Sequence, residues 1–332
     1  MTKAIITGGC GFIGHHVVEH LYRNTDWQLI ILDKLSYASN GYERLRDIFD
    51  ERDIHSFDTE RVQLHSCDLV NELPQGLKDE IGEVDYIIHM AAETHVDNSI
   101  KNPKLFIENN VMSTYNILEF CRHSTSVKKF IHFSTDEVYG PALDGKMYLE
   151  SDRHNPTNPY SASKSASEQI CVSYKNTYKI PLIVVNVMNA FGERQHTEKF
   201  IPMCVKKLLN NEPIKIHTYP DGTTPGSRFY IHSRNIASAV LHLIDNGTIG
   251  ENYNVGGTEV DNLQLANLIG KYMNVTPNII FVPEDDNRPG HDLRYGLDDS
   301  KIRNSGWVCP HTFEKSLEKT ISWTIENKKW IL

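Results

Sequence analysis

Thr135, Asp136 and Glu137 follow Phe130-Ile131-His132-Phe133, a short apolar run that reads as a buried strand. All three can hold or move protons. Successive side chains of a strand point to opposite faces, so the two acids share a site only if the strand stops near Ser134 and the backbone turns. Two carboxyls at the end of a buried strand suit proton chemistry beside a ligand better than they suit packing. A second candidate pair is Tyr160 and Lys164 in YSASK. Residues four apart share a helix face. An ammonium beside a phenol lowers its pKa and fits it to act as a base near neutral pH. Each pattern alone also occurs as ordinary surface charge, so the surrounding elements decide its meaning.

Those elements alternate. Lys3–Thr7 reads as a strand, GGCGFIG follows, and a helix is expected from Phe12 to Arg23. Gly8, Gly11 and Gly14 allow a tight turn, close approach to a pyrophosphate and packing of helix on strand. A second strand, Leu29–Asp33, ends in an acid placed to accept hydrogen bonds from an adenosine ribose. A carboxylate there repels a 2′-phosphate, which favours NAD over NADP. Val62–His65 leads to Asp68, placed to cap or contact the adenine. Asp85–His89 leads to Ala91 and Ala92, small enough to let a cofactor come close. Helical spacing runs through Pro103–Cys121, and Pro181–Asn186 reads as a further strand. The alternation predicts an α/β fold, a Rossmann-like doubly wound parallel sheet with ligand sites at the carboxyl ends of its strands. Residues 1–188 are expected to form the cofactor domain. Residues 189–332, where the alternation weakens, are expected to form a smaller α/β substrate lobe, with chain exchange between the two.

The totals narrow the function classes. The 332 residues are 39% hydrophobic and 23% charged, ordinary for a globular protein, and carry a net charge of -9. That charge argues against a nucleic-acid partner. Six cysteines are scattered without metal-ligand spacing, which predicts reduced thiols, no metal site and a cytoplasmic protein. No apolar run is long enough to span a bilayer, so no membrane partner is expected.

Over essentially its whole length the sequence resembles the dTDP-glucose 4,6-dehydratases, which are extended short-chain dehydrogenases/reductases. The likeness lies in GGCGFIG, LDKLSYASN, MAAETHVDNSI, STDEVYG, NPYSASK, EKFIP, YNVGG and RPGHDLRY. TDEVYG and RPGHD are more specific than the glycine loop. The resemblance implies an NAD site to which Phe12, Ile13, Lys34, Ser36, Leu69 and Thr94 also contribute, with Tyr160 and Lys164 at its reactive end. It implies that Tyr160, helped by Lys164 and Thr135, takes the C4 hydroxyl proton while the sugar is oxidised. Glu137 then removes the C5 hydrogen, Asp136 protonates the departing C6 hydroxyl, and hydride returns to C6. Substrate contacts carried over by matched position are Thr94, Thr135, Asn189, Lys199, Phe200 and Lys215. His217, Arg228, Asn254, Arg288 and His291 complete that set, with Arg228 and Arg288 as the diphosphate partners. A homodimer is also implied, with a seam on Pro103–Cys121 and Ala162–Tyr174.

Departures from the family pattern cluster around the nucleotide. Ala190 stands where a second Asn is usual, Glu193-Arg194 replaces a Pro-aromatic pair, and Gly226–His232 differs from the common RDWLYVED. The base is therefore left as thymine or uracil. A 4-epimerase or decarboxylase of the same superfamily usually lacks acids beside the Thr. A GDP-mannose 4,6-dehydratase lacks the Asp. An NAD-sensing binding protein has no need of Tyr160, Lys164 or Asp136.

Overall fold

The structure, a computed structural model, describes residues 1–37, 39–50, 60–143, 145–283 and 294–331. The apolar runs of the first half form six strands: β1 (Lys3–Thr7), β2 (Gln28–Asp33), β3 (Val62–Ser66), β4 (Tyr86–His89), β5 (Lys129–Thr135) and β6 (Leu182–Val187). The remainder supplies β7 (Asn189–Phe191), β8 (Ile214–Thr218), β9 (Ser227–His232), β10 (Asn252–Val255), β11 (Thr258–Asp261) and β12 (Ile279–Pro283). A seven-stranded sheet has the order β10-β6-β5-β4-β1-β2-β3, and every neighbouring pair is parallel. Asn252–Val255 thus returns from the far half of the chain to the edge of the large sheet.

Continuous apolar strands need cover on both faces. Ala4, Ile6, Leu29 and Ile31 join one buried cluster, whereas Ile5, Ile30, Leu32 and Ile87 join the other. Helices Phe12–Asn24 and Ser233–Asn246 close the first face with Val17, Leu21, Val240 and Leu243. Helices Ser113–His123 and Pro159–Tyr178 close the second with Ile117, Leu118 and Cys171. One residue after β6 the chain starts β7, in a small sheet of order β11-β9-β7. β8 and β12 pair separately, and a third core of Phe191, Ile201, Val205, Leu265 and Leu317 binds this part together. All six cysteines are free thiols. No helix among the described residues is long and apolar enough to cross a membrane.

Register aligns the strand ends. Thr7 lies opposite Leu32 and His89, and Thr135 lies opposite Val187. The turn after β1 is held by crowding that only glycine tolerates. Gly8 has φ +69°, and a Cβ there would meet the Ala91 backbone at 2.9 Å. A Cβ on Gly14 would lie 2.0 Å from the Gly8 carbonyl oxygen. Gly14→Ala is therefore expected to cost about 3 kcal/mol and to empty the loop of any bound dinucleotide. Denaturant midpoints and the nicotinamide content of the purified variant check this. Wild-type values for both would contradict it.

Two elements differ from expectation. Strand β5 continues through Thr135 rather than stopping near Ser134, and the turn is a 3₁₀ helix, Asp136–Tyr139. The Pro103–Cys121 run is not one regular helix but Pro103–Ile107, a π turn at Glu108–Met112, and Ser113–His123. The widened turn carries buried Asn110, whose amide donates to Glu93 O at 3.0 Å and Ser163 Oγ at 2.8 Å. Its Oδ1 accepts from Glu93 N–H at 2.7 Å. Such π turns are frequent at functional sites.

Candidate active site

The carboxyl ends of the strands surround a cavity of about 360 Å³. At one end the glycine loop faces Asp33, Lys34 and Ser36. Thr7, buried at the end of β1, fixes that loop to the next strand, its hydroxyl oxygen accepting from Met90 N–H at 3.0 Å and Ala91 N–H at 3.1 Å. Asp33 accepts from Cys10 N–H at 2.9 Å and Leu35 N–H at 2.8 Å. Burial nevertheless raises its pKa. Lys34 donates to Glu93 and to Asn109, both at 2.7 Å. Gly8 and Gly14 have no room for a Cβ, and the carboxylate of Asp33 at the end of β2 would repel a 2′-phosphate, so this end fits an unphosphorylated dinucleotide.

At the other end stand Thr135, Asp136, Glu137, Tyr160 and Lys164. The 3₁₀ turn lets the adjacent acids both reach the cavity. Thr135 caps that turn, accepting from Glu137 N–H at 3.4 Å and donating to Asp136 Oδ1 at 3.0 Å. The following helix begins with a capping box between Asn158 and Ser161, and Pro159 is pre-set for its first turn. Asn158 also donates to Glu137 Oε2 at 3.2 Å, so the cap that starts the Tyr160/Lys164 helix holds the Glu137 carboxylate.

Burial pushes the Asp136 carboxyl up to about 7, with the Glu137 charge adding to the rise. Thr135 and the Arg228 charge oppose it more weakly. Asp136 can therefore carry a proton near neutral pH, as a general acid must. The unfolded carboxyl titrates near 3.8 and the folded one at about 7, so between those values the folded state holds the extra proton. Stability from that proton is present at acid pH and lost as pH rises through the window. Asp136→Asn is expected to gain stability relative to the native chain over that rise. Denaturant midpoints against pH check this, and a margin independent of pH would contradict it.

The expectation that Lys164 lowers the Tyr160 pKa needs correction. Lys164 Nζ donates to Phe133 O at 2.5 Å, and burial lowers its pKa to about 8. Burial raises the Tyr160 pKa, as do the charges of Glu137 and Asp136, against a hydrogen bond with Thr135. Burial and the two acids therefore hold the phenol in its protonated form.

Every residue expected at the cofactor or in proton transfer lines this one cavity, as do Thr94, Asn189, Lys199 and Phe200 among the expected substrate contacts. Four others do not. Lys215 and His217 lie on β8 in the separate two-stranded sheet, Lys215 facing solvent. Asn254 is fully buried, donating to Tyr148 O at 2.9 Å and Asp298 O at 3.1 Å. Its amide joins chain segments at the sheet edge. Arg228 stands over the Tyr295 ring at 4.9 Å and donates to Ser227 O, and its charge acts on Asp136 and on Tyr230 in the cavity wall. Arg288 and His291 lie outside the described residues. Sequence reasoning missed Glu93, Asn109, Gln195, Glu198 and Tyr230 in the cavity wall. Glu93 and Glu198 had a signal, their places inside MAAETH and EKFIP.

Residues 4–256 match the model of the NAD dependent epimerase/dehydratase family. The chain belongs to that family. It is 35% identical over 356 residues to dTDP-glucose 4,6-dehydratase of Escherichia coli, covering 99% of this chain and 94% of that protein. It is 36% identical over 330 residues to a trifunctional UDP-glucose 4,6-dehydratase/UDP-4-keto-6-deoxy-D-glucose 3,5-epimerase/UDP-4-keto-L-rhamnose-reductase of Arabidopsis thaliana. That match covers 98% of this chain and 48% of the plant protein, so the chain spans about half its length. Among solved structures, a dTDP-glucose 4,6-dehydratase of Streptomyces venezuelae with NAD bound is similar, with TM-score 0.87 and 32% identity. It covers 99% of this chain and 98% of that one. The family member described here keeps both the glycine loop and the acid pair within one cavity.

Proposed function

We propose that this chain is an NAD-dependent 4,6-dehydratase of a nucleoside-diphosphate glucose, a hydro-lyase. One observation carries the reading: Asp136 and Glu137 meet in the cavity that holds Tyr160 and the glycine loop, with Asp136 titrating at about 7. An oxidoreductase or epimerase has no use for such a pair.

The residues act in sequence. Bound on the glycine loop, NAD+ would supply a positive charge, an acceptor for the C4 hydride, and a donor that returns it to C6. Tyr160 takes the C4 hydroxyl proton, with Thr135 hydrogen-bonded to its oxygen. Lys164, fixed on Phe133 O, keeps a positive charge in the helix that carries Tyr160. The new ketone acidifies C5, and Glu137, oriented by Asn158, removes that proton. Asp136 gives its proton to the C6 hydroxyl, which leaves as water, and Glu137 gives its proton back to C5 when C6 takes the hydride. Acid and base with opposite protonation states on adjacent residues are what an elimination requires.

The substrate is dTDP-glucose or UDP-glucose, the sugars named for the bacterial and plant relatives. The chain works in the cytoplasm as a homodimer. Exposed Leu105, Ile107, Met112 and Tyr115 on the Pro103–His123 run support a helical seam. Separate incubations with dTDP-glucose, UDP-glucose, UDP-GlcNAc and GDP-mannose, without added NAD, test the reading. A 4-keto-6-deoxy sugar from either glucose nucleotide is expected. A 4-epimer, or no product from any of the four, would overturn it.

A further inference from the structure

A second cavity, of about 390 Å³, opens where the Phe12–Asn24 helix meets the starts of the Ser233–Asn246 and Phe313–Glu326 helices. Its wall shares no residue with the first cavity. In a chain of net charge -9 its lining is cationic: Arg23, Arg234, Lys315 and Lys319, against Glu19 as the carboxylate among the described lining residues. Glu19 pairs with Arg23 at 3.1 Å, and Glu193, just outside the wall, pairs with Arg234 at 3.1 Å. The balance stays positive with both acids counted.

Backbone and histidines add to it. First-turn residues of two long helices line this space; His232 caps the first, accepting from Arg234 N–H at 3.0 Å, whereas Thr312, the N-cap of the second, makes no side-chain cap bond. Helix N-termini present unpaired N–H groups and a partial positive charge. An independent observation is His16, which lines the cavity, is 1% exposed, and has no hydrogen-bond partner on either ring nitrogen among the described residues. A buried imidazole without a partner is costly, and this one sits just behind the cavity wall with both nitrogens closed to solvent. His20, His232 and His311 also line it, and among the described residues the lining has no Phe, Tyr or Trp. The four cationic side chains therefore set the recognition, which rests on an anion. The volume exceeds that of a single phosphate.

We propose that this cavity is a second ligand site, taking the phosphoryl group of a phosphorylated small molecule separate from the substrate. Through the Phe12–Asn24 helix it connects to the glycine loop, so an occupant here bears on the cofactor end of the first cavity. Calorimetric titration of the full-length enzyme with inorganic phosphate, pyrophosphate and glucose 1-phosphate tests this at low ionic strength, where exposed charges are least screened.

Saturable binding of at least one probe is expected, weakened about tenfold or more by Lys315→Ala with Lys319→Ala, as loss of charge-assisted contacts implies. The double variant is expected to keep the wild-type melting temperature, since both lysines lie on the outer part of the last helix. Equal affinity for phosphate and pyrophosphate identifies a lone phosphoryl group as the ligand feature. Tighter binding of glucose 1-phosphate identifies a sugar phosphate. Unchanged affinity in the double variant, or no binding of any probe to the native enzyme, would overturn the proposal. The readout needs no turnover, so its failure is separate from failure of the dehydratase reading.

Discussion

Tyr160→Phe is expected to lower turnover of the glucose nucleotide by about 10²–10⁴-fold, the range for loss of a positioned acid–base group. The ring is buried and lines the cavity between Thr135 and the glycine loop, so Phe fills the same space and the fold is kept. What is lost is the oxygen that takes the C4 hydroxyl proton. Without the ketone the C5 hydrogen is not acidic, so the variant should also fail to exchange C5 with deuterated solvent. That second readout separates chemistry from binding. A variant that exchanges C5 at the wild-type rate would show that another group performs the first proton transfer.

Asp136→Asn is expected to block the reaction one step later. Asn is close in size and keeps a partner for Thr135, while Asn158 still holds Glu137. The ketone should form and C5 should exchange with solvent, yet water loss should fall by about 10²–10³-fold. Borohydride treatment of the arrested mixture should trap a 4-keto sugar that retains its C6 hydroxyl. In the native enzyme elimination should decline as pH rises above about 7, because Asp136 must be protonated. Full turnover in the variant, or elimination that does not decline across that range, would remove Asp136 from the acid role.

The contrast between these variants follows from local structure that the sequence displayed unevenly. Uniform apolar runs such as Ala4–Ile6 and Leu29–Leu32 can be satisfied only by cover on both faces, so the parallel sheet was legible. The acids at the end of β5 were legible because strand alternation forces a turn if they are to converge. The turn itself lies one residue later, where the Thr135 hydroxyl caps it. Spacing placed Tyr160 and Lys164 on one face but could not say where a long flexible amine ends. It ends on Phe133 O, across the sheet–helix junction.

Long-range partners were hidden for the same reason. Asn254 reads as a substrate contact by position, yet its amide is used by carbonyls from residues 148 and 298. A 3.6-residue period conceals a π turn, so Asn109 and Asn110 gave no signal of the residues they hold. Nothing in the spacing of His16, Arg234 and Lys315 foretells that three helices bring them to one cavity.

Internal transfer of hydrogen is the most direct test of the account. The native enzyme should be given dTDP-glucose or UDP-glucose deuterated at C4 of the sugar, and the product position of the label read by magnetic resonance. Tyr160, Glu137 and Asp136 acting in turn predict a 4-keto-6-deoxy product with deuterium at C6. Deuterium retained at C4, or lost to solvent while a 4-keto-6-deoxy sugar forms, would contradict it.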